Sequence, residues 1–251
     1  MGVLKLIGLG LSYKFITEIA LNELRTSDIV YADTYTSLTC GDLMSKLHQL
    51  GINPIPVGRD FIENNYKKIL ELLDQGKSVG IAVIGDPMIA TTHISLVTEA
   101  RTKGHQVSII PGVSVHCYII SKSMLSSYKF GKSVTIISPT DYGKIDTTPY
   151  KVLKENLERN LHTIFYLEPN MSATDAVSLL LQMEKIEEQR IINEDSLIII
   201  GQHLGCDDEE IVSLKIKEIA KYNLKSPPHI IIFPSKSLHY MEIEGLKWLM
   251  K

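Results

Sequence analysis

At 251 residues, with 44% hydrophobic and 22% charged content, the chain has the make-up of a soluble globular protein, long enough for one large α/β domain or two small ones. Its formal net charge of −3 offers no general field for nucleic acid or acidic lipid, and no segment reaches the roughly eighteen uninterrupted apolar residues of a membrane span. The three cysteines, Cys40, Cys117 and Cys206, are scattered without a C-x-x-C pair, which argues against a disulfide framework and fits a reducing cytosol.

In chain order, residues 3–7 form a short apolar strand that Gly8-Leu9-Gly10 ends. Thr17 can cap a helix through Arg25, and a second strand follows at 29–31. Residues 33–42 are polar and turn-rich yet carry an aromatic, so they read as a functional loop. A helix over 43–50, a strand near 53–57 and a helix over 61–75 come next. Residues 78–84 have the β-branched content of a buried strand; Gly85 breaks it and Asp86-Pro87 forces a turn, because proline denies its predecessor the helical region. Thr91 or Thr92 can then cap a helix over 94–103, before a strand at 106–110.

Strands alternating with helices imply parallel pairing through right-handed crossovers, so residues 1–110 read as a five-stranded α/β domain. Residues 111–251 read as a second α/β domain that shares an interface with the first. There Ser114 can cap a helix to Lys122, and strands fall at 134–137, 163–167, 197–200 and 230–233, with a weaker one at 211–215. Helices fall at 150–159, 172–186 and 241–250, with a weaker one at 216–221, and turn-rich residues 138–149 suggest a flap.

The strand, sharp loop and helix start around V-I-G-D-P-M-I-A-T-T-H (83–93) make the layout of a ligand site at the carboxyl end of an open α/β sheet. Asp86 can bind hydroxyl or amino groups there. Gly8-Leu9-Gly10 invites a dinucleotide reading, but the third glycine of that fingerprint is replaced by Tyr13. None of the eight histidines forms a recognised metal set. His48 and His105 read as solvated, whereas His93 and His229 each sit beside a loop at a strand end. There is no nucleophile elbow, P-loop or nucleophilic-cysteine signature. The acidic run Asp207-Asp208-Glu209-Glu210 reads as a solvated turn.

Taken together, G-L-G-L (8–11), Y-T-S (35–37), G-D-P-M-I-A-T-T-H (85–93), S-S-Y-K-F-G-K-S (126–133), P-P-H-I-I-I (227–232) and L-H-Y-M-E (238–242) resemble the diphthine synthase family, in its archaeal form. The G-D-P loop and P-G-V-S turn (111–114) are shared with the wider tetrapyrrole (class III) methylases. The resemblance implies two α/β units with S-adenosylmethionine, or its product S-adenosylhomocysteine, in the cleft between them. It also implies a cytoplasmic homodimer and, as protein substrate, translation elongation factor 2, whose modified histidine is methylated repeatedly at its amino group. By motif position the cofactor contacts would be Leu11, Asp86, Ile89, Ser114, Val115, Leu167, Leu204 and His229. No metal is implied, nor any nucleic-acid or membrane partner. His93, Tyr35 and Asp86 are the candidate proton acceptors, with water as another route, and Lys129 or Lys132 could meet the acceptor's carboxylate, with Tyr35 on its alkyl arm. A tetrapyrrole or RNA ribose methyltransferase of the same superfamily, and a cofactor-binding sensor or scaffold without turnover, remain alternatives.

Overall fold

A computed structural model of the chain describes residues 1–33, 43–139 and 143–250. They fall into two compact units, Met1–Val115 with Gly205–Asp207, and His116–Leu204 with Asp208–Lys251.

The first unit is a five-stranded sheet in the order β3-β2-β4-β1-β5. Its strands are β1 (Val3–Gly8), β2 (Ile29–Asp33), β3 (Ile55–Val57), β4 (Ser78–Val83) and β5 (Gln106–Ile110), all parallel. The register pairs Gly8 with Val83, so β1 and β4 end level. β4 is apolar from Val79 onward because both faces of a parallel sheet are covered. On one face Leu4, Leu6, Val79, Ile81 and Val83 pack on Ile69, Leu70, Leu73 and Leu96. On the other, Ile7, Val30 and Ala82 pack on Ala20, Leu24, Leu43 and Leu47.

Thr17 does cap α1 (Glu18–Arg25), accepting from the Ala20 N–H at 3.2 Å. α2 (Leu43–Gln49) also stands as expected. The single helix expected over 61–75 is instead two, α3 (Arg59–Glu63) and α4 (Lys67–Asp74). Asn64 and Asn65 both donate side-chain bonds to the Asp60 carboxylate, a local alternative to helical continuation. α5 (Ile94–Thr102) begins after His93 without either threonine as its cap. The Thr91 hydroxyl donates to the Pro87 carbonyl and that of Thr92 to Glu63. His105, expected to be solvated, is buried, accepting from the Gly2 N–H and facing Asp74.

The second unit is a mixed sheet in the order β6-β7-β10-β8-β9. Its strands are β6 (Val134–Ile136), β7 (Thr163–Leu167), β8 (Leu197–Gln202), β9 (Glu210–Lys215) and β10 (His229–Phe233). Only β6 and β7 run parallel; the other neighbours are antiparallel. α7 (Thr148–Glu158) and α8 (Ala173–Glu187) cover one face, burying Tyr150, Leu153, Leu180 and Met183 against Phe165, Ile200 and Ile231. α6 (Val115–Lys122) lies over the other, with Ile119 beside Gly201 and Ile230. Residues 216–221 form a 3-10 turn, and α9 (Tyr240–Leu246) is shorter than the expected 241–250 helix. The chain after it returns to the sheet, where the Ser213 N–H donates to the Leu249 carbonyl. Cys117 is an exposed thiol, whereas Cys206 is disulfide-bonded, a bond that the reading against a disulfide framework did not foresee. Among the described residues, no helix is long and apolar enough to cross a membrane.

Candidate functional site

In the first unit three loops meet at the carboxyl ends of β1, β4 and β5. Gly10 and Gly85 both take left-handed backbone, at φ +70° and +79°, which glycine adopts without penalty. They exchange hydrogen bonds, Gly85 N–H to the Gly10 carbonyl at 2.8 Å and Gly10 N–H to the Gly85 carbonyl at 3.2 Å. Gly112 of the P-G-V-S turn packs onto this pair so closely that a Cβ there would strike the Gly85 carbonyl oxygen and the Gly8 backbone. Only backbone fits where the three loops touch, and they form one continuous surface.

Asp86 sits on that surface, half-buried. Its Oδ1 accepts from the Met88 N–H at 2.8 Å and its Oδ2 from the Gly112 N–H at 3.2 Å. The carboxylate therefore ties its own loop to the P-G-V-S turn, and each oxygen keeps further accepting capacity. Ser114 is buried beside Gly85, Val115 is half-buried, and Leu11 is buried against Gly205, whose carbonyl accepts from the Ser12 hydroxyl at 2.9 Å. Leu11, Asp86, Ser114 and Val115 are thus brought together. Ile89 lies at the exposed apex of the Asp86 loop, next to Ala90 at φ +56°.

His93 is fully buried. Its Nδ1 lies 2.7 Å from the Pro87 carbonyl, which can only accept, so that nitrogen donates. Its Nε2 lies 3.2 Å from Asp33 Oδ2. With both nitrogens engaged, His93 fastens the G-D-P loop to the end of β2. Tyr35, another candidate, and the loop around it at 34–42 lie outside the described residues.

In the second unit, the register places Leu167, His229 and Gln202 at one end of the sheet, with Leu204 just beyond β8. His229 is buried; its Nδ1 accepts from the Ala173 N–H at 2.9 Å, at the start of α8. Burial holds its imidazole below the usual histidine range, so the ring is neutral and its proton sits on Nε2. That N–H is buried with no completed hydrogen bond, although the Lys225 carbonyl is close enough to favour the proton there. A buried donor without an acceptor is costly and rare in native proteins. Leu204 is buried, and its Cδ1 lies 3.0 Å from where a Gly201 Cβ would stand.

The S-S-Y-K-F-G-K-S and L-H-Y-M-E segments meet in this unit at Glu242. Its carboxylate accepts from Lys129 Nζ at 2.7 Å, His162 Nε2 at 3.0 Å, Ser126 N–H at 2.9 Å and His239 N–H at 2.7 Å. Lys129 Nζ also donates to the Ser237 carbonyl at 2.8 Å. Lys129 is therefore engaged inside its own unit, a correction to its expected role at an acceptor's carboxylate. Lys132 is exposed. Beside this hub, Met124, Leu125, Met241 and His239 help line a cavity of 510 Å³. Among the described residues, no group of three or more His, Cys, Asp or Glu could hold a metal.

A model of the family Tetrapyrrole (Corrin/Porphyrin) Methylases matches residues 3–220. The chain is 55% identical over 255 residues to a diphthine synthase of Sulfurisphaera tokodaii, with 100% of both chains covered. It is 48% identical over 259 residues to a diphthine synthase of Saccharolobus solfataricus, again with 100% of both covered. Among solved structures, a crystal structure of diphthine synthase matches with a TM-score of 0.88 at 29% identity, covering 99% of this chain and 96% of that one.

Proposed function

The chain belongs to the tetrapyrrole (corrin/porphyrin) methylase family, and we infer that it has the activity of the diphthine synthases, methylating the amino group of the aminocarboxypropyl-histidine of translation elongation factor 2 with S-adenosylmethionine. The observation that carries this reading is identity over the full length with enzymes of that name. The reading further makes the protein a cytoplasmic homodimer.

Features of each unit fit the cofactor. In the first unit, Asp86 stands on a surface of three closely packed loops, and its carboxylate keeps accepting capacity that suits hydroxyl or amino groups. In the second, the buried Nε2–H of His229 has no completed hydrogen bond and can donate to a ligand. We assign Leu11, Asp86, Ile89, Ser114 and Val115 of the first unit, and Leu167, Leu204 and His229 of the second, to cofactor binding.

S-adenosylmethionine, when bound, supplies a methyl group activated as a sulfonium. Transfer to an amine moves positive charge from one atom to another without creating a new one, so the protein's task is alignment and a neutral acceptor. The rigid tie of Asp86 to Met88 and Gly112 serves alignment. The test is incubation with labelled cofactor and elongation factor 2 bearing the modified histidine, with methyl additions counted by mass spectrometry. Successive methyl increments on that residue are expected, and no label on the factor, with cofactor still bound, would refute the reading.

A further inference from the structure

Repeated methylation of an amine has a requirement beyond binding the cofactor. After each transfer short of the quaternary product the nitrogen is an ammonium, and it must lose a proton before it can attack again. His93 has both ring nitrogens engaged, by Pro87 and Asp33.

The second unit holds a pair that can take that proton. His116, the second residue of α6, places Nδ1 2.7 Å from the Tyr166 Oη on β7. The Ser133 hydroxyl bonds the same phenol oxygen. Tyr166 pairs with Ile230 and Ile230 with Gly201, one step in from the sheet end that carries Leu167, His229 and Gln202. On this face of the sheet the absent side chain of Gly201 leaves Ile119, Ile230 and Leu204 as neighbours, so the pair shares its face with one assigned cofactor residue. His116 itself directly follows another, Val115. Both His116 and Tyr166 are half-exposed, unlike the sealed His93 and His162.

Resting on the function proposed above, we propose that Tyr166 and His116 form a proton relay for the acceptor amine, with Tyr166 touching the nitrogen and His116 positioned behind it to receive the proton. The N–H bond of the methylated ammonium breaks and its proton passes to Tyr166 Oη. That oxygen releases its own proton to His116 Nδ1, and His116 in turn gives one up to water. The amine regains its lone pair, and nothing is oxidised or reduced. The electrostatics agree with these starting states. Burial raises the Tyr166 phenol, which the Ser133 bond partly offsets, and lowers the His116 imidazole. The phenol therefore holds its proton while the imidazole is neutral, and burial makes the imidazolium a transient carrier. The other titratable group acting on Tyr166 is Cys117 of α6, whose thiolate would raise it further; His229 lies one register step away.

The experiment compares the parent with Tyr166→Phe, His116→Gln and His116→Asn, using labelled cofactor and the modified factor from about pH 6 to about pH 9. Asparagine can still accept a bond from Tyr166 but cannot carry a proton, so it rescues a merely structural pair and not a relay. All three variants are expected to keep parent affinity for S-adenosylhomocysteine by calorimetry. Methyl transfer should fall about tenfold or more near neutrality, recover toward high pH and stall at partly methylated product. In the ligand-free protein, imidazole NMR should find His116 titrating below ordinary histidines, and Tyr166→Phe should perturb that resonance. Parent-like rates and pH profile, rescue by asparagine, or equal loss at every pH together with weakened cofactor affinity would each overturn the relay. A parent enzyme that methylates nothing would instead overturn the proposed function, and the relay with it.

Discussion

Glu242→Gln tests whether the hub that joins the S-S-Y-K-F-G-K-S and L-H-Y-M-E segments is an ionised carboxylate. The side chain is 4% exposed, so solvent screening is slight. Burial alone would raise its pKa, but Lys129, the Ser126 and His239 backbone N–H groups and His162 bring it down from 4.5 to about 2. At about 1.4 kcal/mol per unit, that difference is worth about 3 kcal/mol near neutrality. The sign follows from the depression. The contribution is fully present above the unfolded value of 4.5 and disappears as pH falls through about 2, with about 2 kcal/mol gone by pH 3. Glutamine keeps the shape but loses the charge, and its NH₂ must face a group that is itself a donor. The variant should therefore melt about 6–12 °C below the parent at pH 7. The gap between their urea midpoints should narrow between about pH 5 and about pH 3 as the parent loses its advantage. A pH-independent gap, or none, would show that Glu242 is not held ionised by these four groups.

Three further outcomes are expected. Gly112→Ala should cost at least about 2 kcal/mol, because the new methyl meets backbone of Gly85 and Gly8, which cannot yield as a side chain would; parent-like S-adenosylhomocysteine binding by calorimetry would refute the close-packed surface. Asp86→Ala should weaken cofactor binding about ten- to a hundredfold through lost charge-assisted bonds, and unchanged affinity in a folded variant would remove Asp86 from the site. His116, His162 and His229 are all lowered chiefly by burial, so the unfolded chain binds more protons than the folded one as pH drops below the ordinary value of 6.5. Stability should accordingly decline from pH 7 toward pH 5, and a flat thermal midpoint over that range would contradict the three assignments.

The strands were legible because their cause is local. Residues 79–83 and 197–200 are apolar, rich in valine and isoleucine, and each lies in a strand of the structure. Helix ends were less legible, since hydroxyls compete for partners. Thr17 had no rival for the Ala20 N–H and caps as expected, whereas Thr91 and Thr92 found Pro87 and Glu63 instead. Strand direction in the second unit could not be read at all. The isoleucines of β8 and β10 suit either sense, and only the short 203–228 excursion through β9 sets them antiparallel.

For the site, the G-D-P, G-L-G-L and P-G-V-S motifs were legible as separate turns, but their shared purpose lies in contacts between residues far apart in sequence. Asp86 spans the distance to Gly112, and Gly112 is a glycine because the Gly85 carbonyl occupies the space of its side chain. The same limit explains Lys129. A lysine between Tyr128 and Phe130 reads by default as a solvated cation, and nothing nearby announces that Glu242 waits for it. His116 and Tyr166 are not legible for a related reason: one lies in the first turn of α6, the other within the mostly apolar strand β7, and neither belongs to a motif. Their chemistry exists only once β7 and α6 are packed together. A sequence therefore displays the residues that shape a binding loop, since loops demand particular backbones, and conceals proton-handling pairs, whose only requirement is that two ordinary side chains end 2.7 Å apart.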